Sequence, residues 1–118
     1  MVGTQRGAPD VSFDASPNSG VWVYDSTSCH GLSGWLIFGG TSVSSPALAG
    51  IVNLAGSFAS SSAAELRNNL QLCATGPAST CSSADFRDVT SGKAGSFTAK
   101  TGWDFVTGVG SSVGIAGK

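Results

Sequence analysis

Charge is scarce in this sequence, and histidine more so. Its 118 residues carry six Lys/Arg, seven Asp/Glu and one His, for a net charge of −1. No basic run offers a surface that could track phosphates, which excludes nucleic acid as a partner. One histidine and the cysteines at 29, 73 and 81 supply none of the ligand spacings of a zinc site. No apolar run is long enough to span a bilayer, so no membrane partner is expected. The opening MVGTQRGAPD lacks the apolar core of an export signal. What the chain has in quantity is glycine, 17 residues of it, among many Ser and Thr. That composition describes one loop-rich, weakly charged domain with a modest core. Such a surface changes its charge little in acid, which suits an acidic or extracellular setting.

The odd number of cysteines leaves at least one thiol unpaired within the chain. Cys73 and Cys81 bracket the turn-rich ATGPAST, and two readings stand: a local disulfide, or two reduced thiols in a loop.

Periodicity divides the chain into a few elements. PDVSFDASP (9–17) alternates into a Pro-Asn-Ser-Gly turn and reads as a strand running into a loop. GVWVYDS (20–26) and SGWLIFGG (33–40) read as two apolar strands joined through TSCHGL as a hairpin. SSPALAGIVNLAGSF (44–58) has serine caps and a proline suited to a helix's first turn. Its Leu48, Ile51, Val52, Leu54 and Phe58 spread around the circumference, the pattern of a helix buried on most sides. SSAAELRNNLQLC (61–73) reads as a second, more amphipathic helix, and residues from 82 onward as loops and short strands.

One stretch carries a chemical signal. In FGGTSVSSPALAG (38–50), Ser42 stands at the entrance to a helix, where orphan N–H groups could also hold a developing oxyanion. The two preceding glycines permit a tight turn and close approach of a substrate backbone. Taken alone, a serine here is more often a helix cap than a nucleophile.

The segment GGTSVSSPALAG resembles the nucleophile segment of the sedolisins, the serine-carboxyl peptidases. Two more segments agree in order. RGAPDVSFDASPNSGVWVYDS (6–26) is similar to the strand and loop that lead to that nucleophile. FRDVTSGKAG with AKTGWDFVTGVGS (86–95 and 99–111) is similar to the family's calcium-binding region. Subtilases are the related runner-up. The resemblance implies an α/β fold, part of a subtilisin-like parallel sheet that would supply late strands, the nucleophile helix and the calcium region. It also implies a secreted or acidic location. Ser42 matches the nucleophile. The family's base is a glutamate oriented by an aspartate one helical turn away, and a further aspartate in a Ser-Gly-Asp segment stabilises the oxyanion. All three precede the region that this chain matches, and no Ser-Gly-Asp occurs here. The chain is therefore expected to be the C-terminal part of a sedolisin-like acid endopeptidase, inactive alone. It would cleave peptides or proteins only when the N-terminal half completes it. The alternative is a non-catalytic calcium-binding module, stabilised by self-association through the apolar helix.

The same resemblance implies a calcium cofactor held by the carboxylates of Asp88 and Asp104 and the carbonyls of Val89, Lys100 and Gly102. Calcium takes about six to eight oxygens, mixing carboxylates with loop carbonyls, and the glycines of this region allow the backbone to aim them. Lys100 departs from the family's usual glycine, and its ammonium must point away. Trp103 is expected to pack under the loop.

Substitute catalysts are poorly supported. Glu65 precedes Asn69 by one helical turn but reads as a solvated helix residue. His30 with Asp25 invites a Ser-His-Asp triad, yet the histidine belongs to the expected hairpin turn. Asp10 and Asp14 read as acceptors for turn N–H groups.

Overall fold

The computed structural model describes residues 7–68 in full, the backbone of 69–74, and residues 82–118. The pairing of Cys73 with Cys81, read as either a local disulfide or two reduced thiols, lies outside the described residues. The element order is β1 (Val21–Cys29), β2 (Leu32–Phe38), α1 (Thr41–Leu54), α2 (Ser62–Ala74), β3 (Phe86–Arg87), β4 (Lys93–Ala94), β5 (Phe97–Thr98) and β6 (Ser111–Ser112). The chain divides into two compact units, Phe13–Gly50 and Met1–Ser12 with Ile51–Lys118, and the division falls inside α1.

The first unit is built on the expected hairpin. His30 and Gly31 both have positive φ, 51° and 81°, and form the two-residue connection whose twist matches paired strands. Strands joined by so short a link can pair only antiparallel. The register runs from Val21↔Phe38 to Asp25↔Gly34, then slips before Cys29↔Leu32. At the slip the Asp25 carboxylate accepts the Thr27 N–H at 2.8 Å, which holds the bulge.

The parallel-sheet expectation fails. The described residues form three two-stranded sheets, β1–β2, β3–β6 and β4–β5, all antiparallel. A parallel pair needs two strands separated by a crossover that returns to the same sheet. β1 and β2 pair with each other across their turn, and α1 is followed by α2 and then by two-residue strands elsewhere. The strand expected at 9–17 is also absent. That segment is irregular, and it is tied down by the Ser12 N–H on the Gly110 carbonyl and the Val109 N–H on the Asp10 carbonyl, both 2.9 Å.

The helix begins three residues earlier than expected, because β2 stops at Phe38 and Gly40, at φ 95°, turns the chain so that its carbonyl accepts the Val43 N–H at 2.9 Å. Pro46 consequently sits inside α1, not in its first turn, and leaves the Ser42 carbonyl without its usual donor. The helix stops at Leu54, short of 58, as Gly56 turns with φ 71° and its N–H caps the Asn53 carbonyl. None of its residues is buried, so it is not the enclosed central helix that its apolar spread predicts.

The second unit holds the core. Phe86 and Val109 are buried against each other, with Val11 and Trp103 packed on them. Trp103 also donates to the Pro9 carbonyl at 3.1 Å and meets Phe105 edge-on. β3 pairs with β6 beside this core. Ser61 caps α2 through the Ala64 N–H. No helix among the described residues is long and apolar enough to cross a membrane.

Candidate functional site

The loop between β3 and β6 brings two acidic side chains to one backbone segment. Asp88 follows β3 directly, and its Oδ2 accepts the Gly102 N–H at 2.8 Å. Asp104 Oδ2 accepts the Lys100 N–H at 2.9 Å. The two carboxylates thus dock on N–H groups two residues apart along 100–102. A buried Gly108 keeps the far side of the loop closed. With φ 62° and the Asp10 carbonyl lying where a Cβ would stand, no other residue fits there without a shift of backbone.

The two acids differ in how their charge is met. Asp104 is 1% exposed, and its Oδ1 takes the N–H groups of Val106 at 2.7 Å and Thr107 at 2.8 Å. The Thr107 hydroxyl lies at 3.2 and 3.3 Å from its two oxygens. Burial pushes the Asp104 carboxyl up, but the N–H groups of Lys100, Thr107 and Val106 and the Thr107 hydroxyl together outweigh it and hold the carboxyl below the usual range. Asp88 has no such shell. Its Oδ1 is buried and has no hydrogen-bond partner among the described residues. A buried carboxylate oxygen left without any donor costs about 1–3 kcal/mol, which a water, a hydrogen-bond donor or a cation would each relieve.

The same stretch of chain carries further oxygen acceptors. The hydrogen bonds of the described residues leave the carbonyls of Val89, Lys100 and Gly102 unused. Asp88 Oδ1 and these three carbonyls are oxygen donors of the kind that calcium takes, all carried by residues 88–102. Lys100 is exposed and makes no ion pair with either acid among the described residues. No group of three or more His, Cys, Asp or Glu side chains gathers among the described residues, so a metal here would rest on two carboxylates and main-chain oxygens. The donors of Asp104 were not foreseen, though Asp-x-x-Thr at 104–107 is a local turn signature that could have signalled two of them.

Ser42 occupies the second position of α1 and is exposed. The start of the helix is held in place by the Gly40 N–H on the Ala15 carbonyl at 2.6 Å and the Ser44 hydroxyl on the Asp14 carbonyl at 3.2 Å. Gly39 lies against Ala15 and Pro17 so closely that a Cβ would stand 2.6 and 2.5 Å from their backbone atoms. The first-turn N–H groups at 41 and 42 have no intrahelical acceptor. No hydrogen bond joins Ser42 to a base among the described residues. His30 stands at the hairpin tip, seven strand residues of β2 away from the Gly39–Gly40 turn. At about 3.3 Å per residue that separation exceeds 20 Å, so the structure does not assemble Ser42, His30 and Asp25.

Glu65 is not the solvated residue its helix position predicts. It is 5% exposed, accepts the Ala59 N–H at 2.8 Å and pairs with Lys118 Nζ at 3.2 Å. Lys118 also donates to Ser57 Oγ. The Ala59 hydrogen bond pulls the Glu65 carboxyl down, desolvation opposes it, and Lys118 adds to the lowering. Asp14 accepts the Ser16 N–H at 2.9 Å, and Ser19 with Ser16 lowers its carboxyl, which is the turn role expected of it.

No protein-family model, curated protein or solved structure matches the chain.

Proposed function

We propose that this chain is a calcium-binding module related to the sedolisins and without catalysis of its own, with residues 86–105 as the ion site. One observation carries the reading: the buried, unpartnered Oδ1 of Asp88 on a loop with unused main-chain oxygens. Asp88 Oδ1, Asp104 Oδ2 and the carbonyls of Val89, Lys100 and Gly102 would hold the ion, and water would complete the set. The ion would neutralise the buried Asp104 and the buried oxygen of Asp88 and fix the loop, and its chemistry would be structural. Isothermal titration calorimetry of the chelator-treated protein with calcium, magnesium and zinc tests this. Saturable binding of calcium that Asp88→Ala abolishes is expected, and no heat with any of the three would overturn it.

A second reading keeps Ser42 as a peptidase nucleophile. Its support is the exposed position at the start of a 14-residue helix with free first-turn N–H groups. The general base and the oxyanion acid would then come from residues outside this sequence, and activity would need both.

A further inference from the structure

The β1–β2 hairpin shows apolar side chains on both faces. Its register places Trp22, Tyr24, Trp35 and Ile37 together on one face and Val21, Val23, Leu36 and Phe38 on the other. Trp22, Tyr24 and Trp35 are 64%, 61% and 66% exposed, and Tyr24 packs edge-on against Trp35 with ring centroids 5.5 Å apart. Aromatic side chains carry about 150–250 Å² each, so these three alone expose roughly 300–500 Å² on one face. That approaches the largest apolar patch of an ordinary monomer before Ile37 is added. Two copies meeting through this face would cover on the order of 1,000 Å², the size at which specific interfaces begin.

Composition points the same way. Residues 21–38 contain no Lys, Arg, Glu or Pro, and Asp25 is their one acidic side chain. Charged residues and proline are the usual devices that keep a strand edge or face from pairing, and the hairpin has none of them on its aromatic face. A face without charge offers nothing to select an oppositely charged partner, but it does not repel its own copy across a two-fold axis. A two-stranded hairpin is also marginal by itself, and no residue of Phe13–Gly50 is buried.

We propose that two copies of this chain associate through the face formed by Trp22, Tyr24, Trp35 and Ile37. This surface replaces α1 as the site of self-association and involves no residue of the calcium loop, so chelation leaves the association unchanged. The experiment is sedimentation equilibrium of the full chain from about 5 to 200 µM, with reductant present so that the exposed Cys29 thiol forms no cross-link. A reversible monomer–dimer equilibrium is expected. Trp35→Lys should weaken it at least tenfold, whereas Leu54→Lys, at an exposed position of α1, should leave it unaltered. Hydrogen exchange of the unsubstituted chain gives a second measure, with amides of 21–38 becoming better protected as concentration rises. A chain that stays monomeric throughout, exchange that ignores concentration, or dissociation caused by Leu54→Lys instead of Trp35→Lys would each overturn the proposal. Flotation of a monomeric chain with neutral lipid vesicles would do so in favour of a membrane surface.

Discussion

Asp88 and Asp104 sit on the same loop but are stabilised differently, and this separates what calcium does from what the fold does unaided. Asp104 answers three N–H groups and a hydroxyl, so it is structural even without an ion. Asp88 gives one oxygen to Gly102 and leaves the other unmet. In chelator, Asp88→Ala is therefore expected to cost less than Asp104→Ala, because it strands only the Gly102 N–H and also removes a buried unpaired oxygen. Asp104→Ala in chelator should cost about 3 kcal/mol or more, since three part-buried N–H donors lose their acceptor at once. Calcium at a hundredfold its Kd should stabilise the parent by about 2.7 kcal/mol, a Tm rise on the order of 10 °C in a chain this size. Asp88→Ala should lose that rise almost completely. Thermal melts of the parent and both variants with chelator and with calcium measure all of this, and a parent indifferent to calcium would sink the ion site. The residue types were legible in the sequence, as two acids among glycines. Which of the two would be saturated by the backbone was not, because the Lys100 donor reaches Asp104 only once the loop has closed.

At the scale of elements, α1 decides the chemistry. Ser42 stands where a nucleophile can stand, but hydroxyls are weak nucleophiles unless a base takes the proton. Absence of general-base help forfeits about 10² to 10⁴-fold, and absence of an oxyanion donor about another 10² to 10³. The isolated chain should show no turnover of a fluorogenic peptide from pH 3 to 8, and Ser42→Ala should be indistinguishable from the parent. Turnover that disappears in the variant would falsify this. The hairpin was readable because a short His-Gly link between apolar runs has few other geometries. The start of α1 lies three residues before the serine caps, since the strand stops at Phe38 and Gly40 turns the chain into the helix. The anchoring of α2 was hidden for a different reason: Glu65 meets Lys118 only through tertiary structure. Their side chains are 7% and 11% exposed, so Lys118→Ala should strand a buried carboxylate and cost about 1–3 kcal/mol. Urea titration reads that difference, and Glu65→Gln with Lys118→Ala should recover part of it.

For the whole molecule, local signals gave pieces and could not give their assembly. The parallel sheet was implied by the family resemblance alone, whereas the residues of 20–40 read as a hairpin, and the antiparallel pairing follows the residues. Among the described residues, however, fully buried apolar side chains are few: Phe86, Ala99 and Val109. With so little core, the buried acids carry an unusual share of pH sensitivity. Asp104 and Glu65 both have folded-state carboxyls lowered below their ordinary values. Their unfolded values lie at about 3.9 and 4.3, so the unfolded chain takes up protons first as pH drops. The stability each contributes is complete above its unfolded value and is lost as pH falls through the lower folded value. Tm should therefore be level between about pH 7 and 5 and should decline below about pH 4. Asp104→Asn should melt lower at neutral pH, because an amide nitrogen faces donors that wanted an oxygen, yet its acid decline should be shallower than the parent's. Circular-dichroism melts from pH 7 to 2 separate these outcomes. A Tm that holds or rises between pH 4 and 2 would mean that neither carboxylate stabilises the fold in its ionised form, and the loop's electrostatics would have to be reassigned.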